Sequence, residues 1–275
     1  MKTIAITGAK GFFASRFIDY FIRHYSDTFR VTPLTRTDFD ITAQESTLTG
    51  LKRCAPDFVV HAAAVADTRL CESNSALSFA VNQQGTTNIA LACQAIGAKM
   101  VFLSSDQVYI KLGGQGPFTE EASLIPSNVY ATHKKAAEES LFQILPGAIA
   151  LRLSWLYGPP EEGKKSSSNL LTNALSAIAT KTSIYASTNE YRCITDVYDL
   201  IRQFPALLAL PGGVFNAATD NPLSTYEAYR SMFHRLDVDD AIVANLLLQD
   251  ETRATQPVRD FRMCMNKLKE HNILI

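Results

Sequence analysis

The chain has 275 residues, 47% of them hydrophobic and 19% charged, with a formal net charge of −1. That is ordinary globular composition with ample core, and it excludes function through a basic field for nucleic acid or an anionic membrane. No apolar run reaches the length of a membrane span and no basic-then-apolar leader opens the sequence, so the expected location is the cytoplasm, away from the membrane. Cys54, Cys71, Cys93, Cys193 and Cys264 form no C-x-x-C pair and read as reduced core or near-core thiols. The histidines are scattered without ligand spacing, and no metal is expected.

Thr3–Thr7 is a β-branched run that predicts a buried strand. Gly8-Ala9-Lys10-Gly11-Phe12-Phe13-Ala14 follows at once, and Phe17, Ile18, Phe21 and Ile22 then fall at helical spacing. Strand, glycine turn and helix form the context of a dinucleotide fingerprint. Gly8 would make the tight turn, and Gly11 would let the backbone approach a pyrophosphate at the helix N-terminus. Lys10, Phe12 and Phe13 are assigned to the same cofactor loop. Phe29–Leu34 predicts the second strand, followed by Thr35-Arg36-Thr37-Asp38. An acid here would bind a ribose 2′-hydroxyl, as NAD requires, whereas Arg36 suits a 2′-phosphate and favours NADP(H) over NAD(H). The alternative for Arg36 is a solvated loop residue. Asp40 and Ile41 could lie along the adenine.

Pro56–Ala64 is continuously apolar, as a parallel strand covered on both faces should be. Its small end, Ala62-Ala63-Ala64, would admit a cofactor, while His61 reads as a core or strand-end histidine rather than a catalyst. Ser75–Ala98 predicts one long helix containing Asn82, with Gly97 at its end. Met100–Leu103 is the next strand, and Ser104-Ser105-Asp106-Gln107 leaves its carboxyl end, where open α/β sheets bind ligands. The glycine-rich stretch Gly113–Gly116 leads on to the helix of Tyr130. This alternation implies a Rossmann-like, doubly wound parallel α/β sheet.

Tyr130 and Lys134 are four positions apart and share one helix face. A lysine ammonium at ~5 Å, with an effective dielectric of about 20, would favour a phenolate by roughly 3 kcal/mol, or about 2 pKa units. Ser105 could hold the substrate oxygen that such a phenol protonates. Standing alone, Tyr-x-x-x-Lys is weak evidence and reads first as a surface helix; the surrounding motifs change that.

Together these pieces resemble the extended short-chain dehydrogenase/reductase superfamily. They are most like the dTDP-4-dehydrorhamnose reductases and their sugar-nucleotide epimerase relatives. The resemblance runs through Thr7-Gly8-x-x-Gly11-x-x-Ala14, Asp40-Ile41-Thr42, Pro56-Asp57-x-Val59-Val60-His61-Ala62-Ala63-Ala64 and Val81-Asn82. It continues through Ser104-Ser105-Asp106-x-Val108-Tyr109, Pro126-x-x-x-Tyr130-x-x-x-Lys134 and Leu151–Gly158. It implies that Tyr130 donates a proton, that Lys134 activates it and holds a ribose, and that Ser105 holds the substrate oxygen. Asn82, Ser104 and Ser154 join the implied cofactor contacts. Asp106, Gln107 and Trp155, the single tryptophan, join the implied substrate contacts. Tyr191–Leu200 resembles a segment whose arginine binds the substrate diphosphate, which makes Arg192 the anchor; its alternative is a surface salt bridge.

The departures are specific. Ala131 stands where the family usually has glycine, and Gln107 stands where its reductases tend to carry an aromatic. Sugar-nucleotide dehydratases place a glutamate at that point, and Gln107 cannot act as their base. Some family reductases use a metal through an acid early in the first helix, but here Arg16 occupies that place.

Ala148–Leu153 predicts a further strand, Glu161–Ser168 a mobile surface loop or a lid, Leu170–Ala179 a helix, and Thr195–Leu210 another. Val214–Ala218 predicts the last core strand, and Ser224 or Thr225 a helix cap. The expected division is a dinucleotide-binding domain of residues 1–158 and about 196–220. Residues 159–195 and 221–275 would form a small, mostly helical lobe over the substrate. The resemblance thus implies an NADPH-dependent reductase of a nucleotide-activated keto-deoxysugar. The alternatives are an NAD-dependent epimerase and an NADP-binding regulatory subunit without turnover. A homodimer is the assembly considered.

Overall fold

Six parallel strands form the centre of the fold. The computed structural model describes residues 1–112 and 115–275, so Gly113 and Gly114 of the glycine-rich stretch lie outside the described residues. From edge to edge the strands are Phe29–Leu34, Lys2–Thr7, Phe58–His61, Lys99–Ser105, Ile149–Leu153 and Gly213–Ala217, each parallel to its neighbours. The winding reverses between Lys2–Thr7 and Phe58–His61, which makes that junction the topological switch point where such sheets bind ligands. Every residue of Ile149–Leu153 is buried, as continuous apolarity requires of a strand covered on both faces.

One face is covered by helices Phe12–His24 and Val197–Ala209. Phe17 stacks on Phe21 at 4.1 Å and meets Phe204 edge-on at 4.9 Å. The other face carries Gln44–Cys54, Gly85–Ile96 and Val129–Ile144, packed through Leu51, Ile89, Cys93, Ala137 and Leu141. Burial pushes the thiols of Cys93 and Cys193 up to about 12, and all five cysteines are free. Among the described residues, no helix is long and apolar enough to cross a membrane.

Two elements differ from expectation. The long helix from Ser75 is interrupted by a π-helical turn at Phe79–Gln84 before Gly85–Ile96 ends at Gly97, φ 74°. Asn82 sits in that turn, where its amide accepts from Val65 N at 2.9 Å and donates to Val65 O at 3.0 Å. It therefore fixes the chain leaving the third strand. The helix expected from Thr195 begins at Val197, because β-branched Ile194 and Thr195 pair instead with Trp155–Tyr157 in a two-stranded ribbon.

Leu170–Thr180, Thr225–Arg235 and Asp240–Leu246 build the lobe around Ala174, Tyr229, Phe233 and Val243. Ser224 and Glu227 close a capping box at the second of these helices, as the sequence predicts. The final segment then leaves the lobe. Phe261, Met263 and Met265 pack with Tyr109 and Phe118, while Leu268 and Ile273 enter the core beneath the sheet.

The helix Val129–Ile144 is tied to the sheet by a buried ion pair. Arg152 of the fifth strand donates to Glu138 through Nε at 3.1 Å and Nη2 at 2.7 Å. Ser104 also donates to Glu138. Removing one partner of such a pair leaves a buried charge unmatched, so Arg152→Met should cost about 3–5 kcal/mol in denaturant unfolding. Glu138→Leu with Arg152→Met should recover most of that loss. A double variant as unstable as the single would show that packing, not charge matching, carries the contact.

Candidate active site

The turn after the first strand shapes one half of the site. Gly8 adopts φ +68°, and a Cβ there would lie 2.8 Å from Ala63 Cα, so both conformation and space require glycine. Thr7 Oγ accepts from Ala62 N and Ala63 N, both at 3.2 Å, and lies 2.8 Å from His61 Nδ1. With its lone pairs so engaged, Thr7 donates to Nδ1, and His61 Nε2–H points to Thr86 at 3.2 Å. Burial drives His61 down to about 3, so it is a neutral core residue, as the sequence indicates.

A cleft of about 760 Å³ opens at this switch point, lined by Gly8, Lys10, Gly11, Arg36, Asp40, Ile41, Ala62, Ala63 and Ala64 among others. Gly11 caps the first helix without a side-chain bond, and no acid stands in the first turn. The backbone N–H groups there remain open to an anion. A dinucleotide fits these walls. Arg36 lies close enough to Asp40 to help hold its carboxyl below the usual range, after the larger effect of Thr42, which donates from N at 2.9 Å and Oγ at 2.8 Å. Asp38, the acid nearest the second strand, accepts from Thr35 N at 2.7 Å and Thr35 Oγ at 2.8 Å.

Other expected contacts face elsewhere. Phe13 is buried in the core, and the Phe12 ring lies under Arg16, which leaves only their backbone towards the cleft. Asn82 binds Val65 and Ser104 binds Glu138, as described above. Ser154 Oγ lies 2.9 Å from Asp106 Oδ2 and 2.6 Å from Cys193 O, with one proton to give to either, and so links the segments of the second half of the site. Lys165 was not foreseen in the cleft, because nothing near it in sequence carries a cofactor motif.

That second half gathers at the carboxyl end of Lys99–Ser105. Ser105 Oγ donates to Asp106 Oδ1 at 3.3 Å and accepts from Gln107 N at 3.2 Å. Asn128 caps the helix of Tyr130 by accepting from Ala131 N at 2.7 Å, and its amide donates to Gln107 at 3.1 Å. The cap thereby sets the helix against Ser105. Burial raises the Tyr130 hydroxyl well above its ordinary value, with neighbouring Ser105 acting in the opposite direction. This reverses the expected lowering by Lys134. Lys134, 2% exposed, donates from Nζ to Leu103 O at 2.6 Å and lies 4.0 Å above the Phe102 ring. Its ammonium is held by the fourth strand, and burial depresses it to about 7.

Trp155 is 36% exposed at the rim. Arg192 is not a surface ion pair. It is 7% exposed, with its guanidinium 5.0 Å from the Trp155 ring and 4.5 Å from Phe261. Its Nε donates to Glu190 at 3.0 Å, while Nη1 stands 4.0 Å from Asp106 Oδ2 with no hydrogen-bond partner. Burial raises the Asp106 carboxyl, and Arg192 opposes that rise.

The chain matches the RmlD substrate binding domain over residues 1–273. It belongs to the RmlD substrate binding domain family. A dTDP-4-dehydrorhamnose reductase of Streptomyces griseus is 34% identical over 154 residues, which is 56% of this chain and 49% of that protein. The match thus spans about half the length of this relative. A Bacillus anthracis dTDP-4-dehydrorhamnose reductase solved in complex with NADP superposes at TM-score 0.84 and 22% identity, covering 99% of this chain and 94% of that one. A Thermus thermophilus UDP-glucose 4-epimerase in complex with NAD gives 0.77 at 19% identity, covering 98% and 93%. At these identities the two structures establish a shared fold. Within this RmlD-family chain, the tyrosine and lysine project from one helix face while Ser105 approaches from the sheet.

The depressed Lys134 has a consequence for stability. Its folded value is about 7 against an ordinary 10.5, so the unfolded chain binds more protons between those limits and stability from this group rises with pH across them. Lys134→Met should therefore be more stable than the parent at pH 7, with the difference shrinking towards pH 10. Urea unfolding at pH 7 and 9 checks this. A variant less stable at both would place Lys134 among the groups that hold the fold together.

Proposed function

We propose that this chain is an NADPH-dependent reductase acting on the keto group of a nucleotide-activated deoxysugar. The observation that supports the reading is Ser105 beside Tyr130 at the carboxyl end of the fourth strand, with Lys134 on the same helix face as Tyr130, in a fold that also carries the switch-point cleft. Support for the nucleotide sugar comes from the named reductase relative. Support for NADP comes from Arg36 in the cleft, while Asp38 is engaged by Thr35.

A bound nicotinamide would supply the hydride. Ser105 holds the substrate oxygen, and Tyr130 is its proton donor. Because burial keeps the phenol protonated, it yields its proton only to a strong base, such as an alkoxide developing on the substrate. That suits the reducing direction. Lys134 would restore charge balance beside the phenol and would hold the cofactor ribose. Trp155 and the Arg192–Asp106 pair would face the sugar nucleotide, with Arg192 Nη1 available to an acceptor. Residues 166–195 and much of 221–260 would cover it.

The epimerase reading keeps weight through the NAD-bound structural neighbour. The test is a fluorescence titration with NADPH and NADH, followed by NADPH consumption with dTDP-4-keto-6-deoxyglucose. Tight NADPH binding with consumption is expected. Tight NAD retention with no net nicotinamide turnover would favour the epimerase, and NADPH binding without consumption would favour the regulatory subunit. Tyr130→Phe should keep NADPH affinity within a few-fold and lose turnover by about 100-fold or more. Undiminished turnover would sink the proton-donor assignment.

A further inference from the structure

Arg16, which stands where some relatives were expected to carry a metal-binding acid, is completely buried in the first helix. A guanidinium in that position needs acceptors around it. Nη1 donates to Phe12 O at 3.0 Å and Lys165 O at 3.4 Å, and Nη2 donates to Pro159 O at 2.7 Å. Nε lies 3.0 Å from Glu161 Oε1. Glu161 is also held by Lys164 at 2.6 Å and by the Tyr198 hydroxyl at 2.6 Å, and Lys164 reaches Asp19 at 2.8 Å. The polar segment expected as a mobile loop is therefore strapped along the first helix at Pro159, Glu161, Lys164 and Lys165.

The strap fixes where Lys165 stands. Its backbone is bonded to the arginine that also binds Phe12, the first residue of the helix, and Lys165 lines the cleft together with Lys10 and Gly11. The nearby acids Glu161 and Asp19 are taken by Arg16 and Lys164. Lys165 has no carboxylate partner among the described residues. An exposed cation beside open helical N–H groups adds to the attraction that those groups already exert on an anion.

We propose that Lys165 binds the cofactor pyrophosphate, carried to the N-terminus of the first helix by the Arg16-held strap and acting together with Lys10. Arg16 is a positioning residue in this arrangement. The proposal rests on the dinucleotide reading of the cleft. It assigns to the segment 159–165 a cofactor role instead of a substrate lid.

The experiment is a fluorescence titration of the purified full chain with NADPH and with NADH, for the parent, Lys165→Ala and Lys165→Arg. Lys165 is exposed, so its truncation leaves the core intact. Lys165→Ala should weaken both nucleotides by the same factor, about tenfold at low salt, with the loss shrinking as salt rises. Lys165→Arg should stay within about twofold of the parent. Unchanged affinity in Lys165→Ala overturns the proposal. A loss confined to NADPH also overturns it, because the ammonium would then be reading the 2′-phosphate. A parent that binds neither nucleotide would sink the dinucleotide reading itself, and that failure is visible before any variant is compared.

Discussion

The ion pair between Glu138 and Arg152 is the constraint on which the site depends. It joins the helix Val129–Ile144 to the fifth strand inside the core, where neither charge can reach water. Arg152 also donates to the Tyr109 hydroxyl at 2.6 Å, and Tyr109 donates to Asn216 at 2.9 Å. One network therefore spans the helix, two strands and the segment after the fourth strand. Desolvating two charges is costly, and their attraction offsets that cost only when the geometry is good. The bidentate contact meets that condition and allows little sliding of the helix. Tyr130, Lys134 and Glu138 repeat at four-residue spacing, so fixing Glu138 also fixes the height of Tyr130 against Ser105.

Burial does more than position these groups. The phenol is harder to ionise than in water, and the ammonium is easier to deprotonate, for the same physical reason. Attraction between the two side chains alone would lower the phenol. The fold adds the loss of solvent around both, and it directs Lys134 to Leu103 O. Desolvation outweighs a pair attraction when the partner's charge is already engaged by a backbone carbonyl.

Much of the architecture was legible because its signals are local. Phe29–Leu34 emerged with the boundaries read from the sequence, and the strand, turn and helix at Gly8 followed from residue types within a dozen positions. Most of the lining of the switch-point cleft was legible for the same reason, since Gly8, Gly11, Arg36 and Ala62–Ala64 each follow a strand end. What escaped depends on distant pairs. The π-helical turn is set by Asn82 gripping Val65, and the burial of Arg192 depends on Phe261. Neither relation has a periodicity to detect. The return of Leu268 and Ile273 to the main core was hidden too, because an apolar residue does not say which apolar surface it joins.

Arg16 shows the limit of reading a motif by what it lacks. Its presence at an expected acidic place said only that the local chemistry differs. In the fold, that side chain connects positions separated in sequence by 143 and 149 residues, through Pro159 and Lys165. A buried arginine can do this because its planar head serves several acceptors in one plane, which a carboxylate in the same place could not do for backbone carbonyls. The substitution thus changes which parts of the chain the first helix can hold. A helix beginning with an acid would oppose an anion at its N-terminus, whereas one carrying a buried cation can draw a second segment against the anion site. The polar composition of Glu161–Ser168 follows from that task as readily as from solvent exposure.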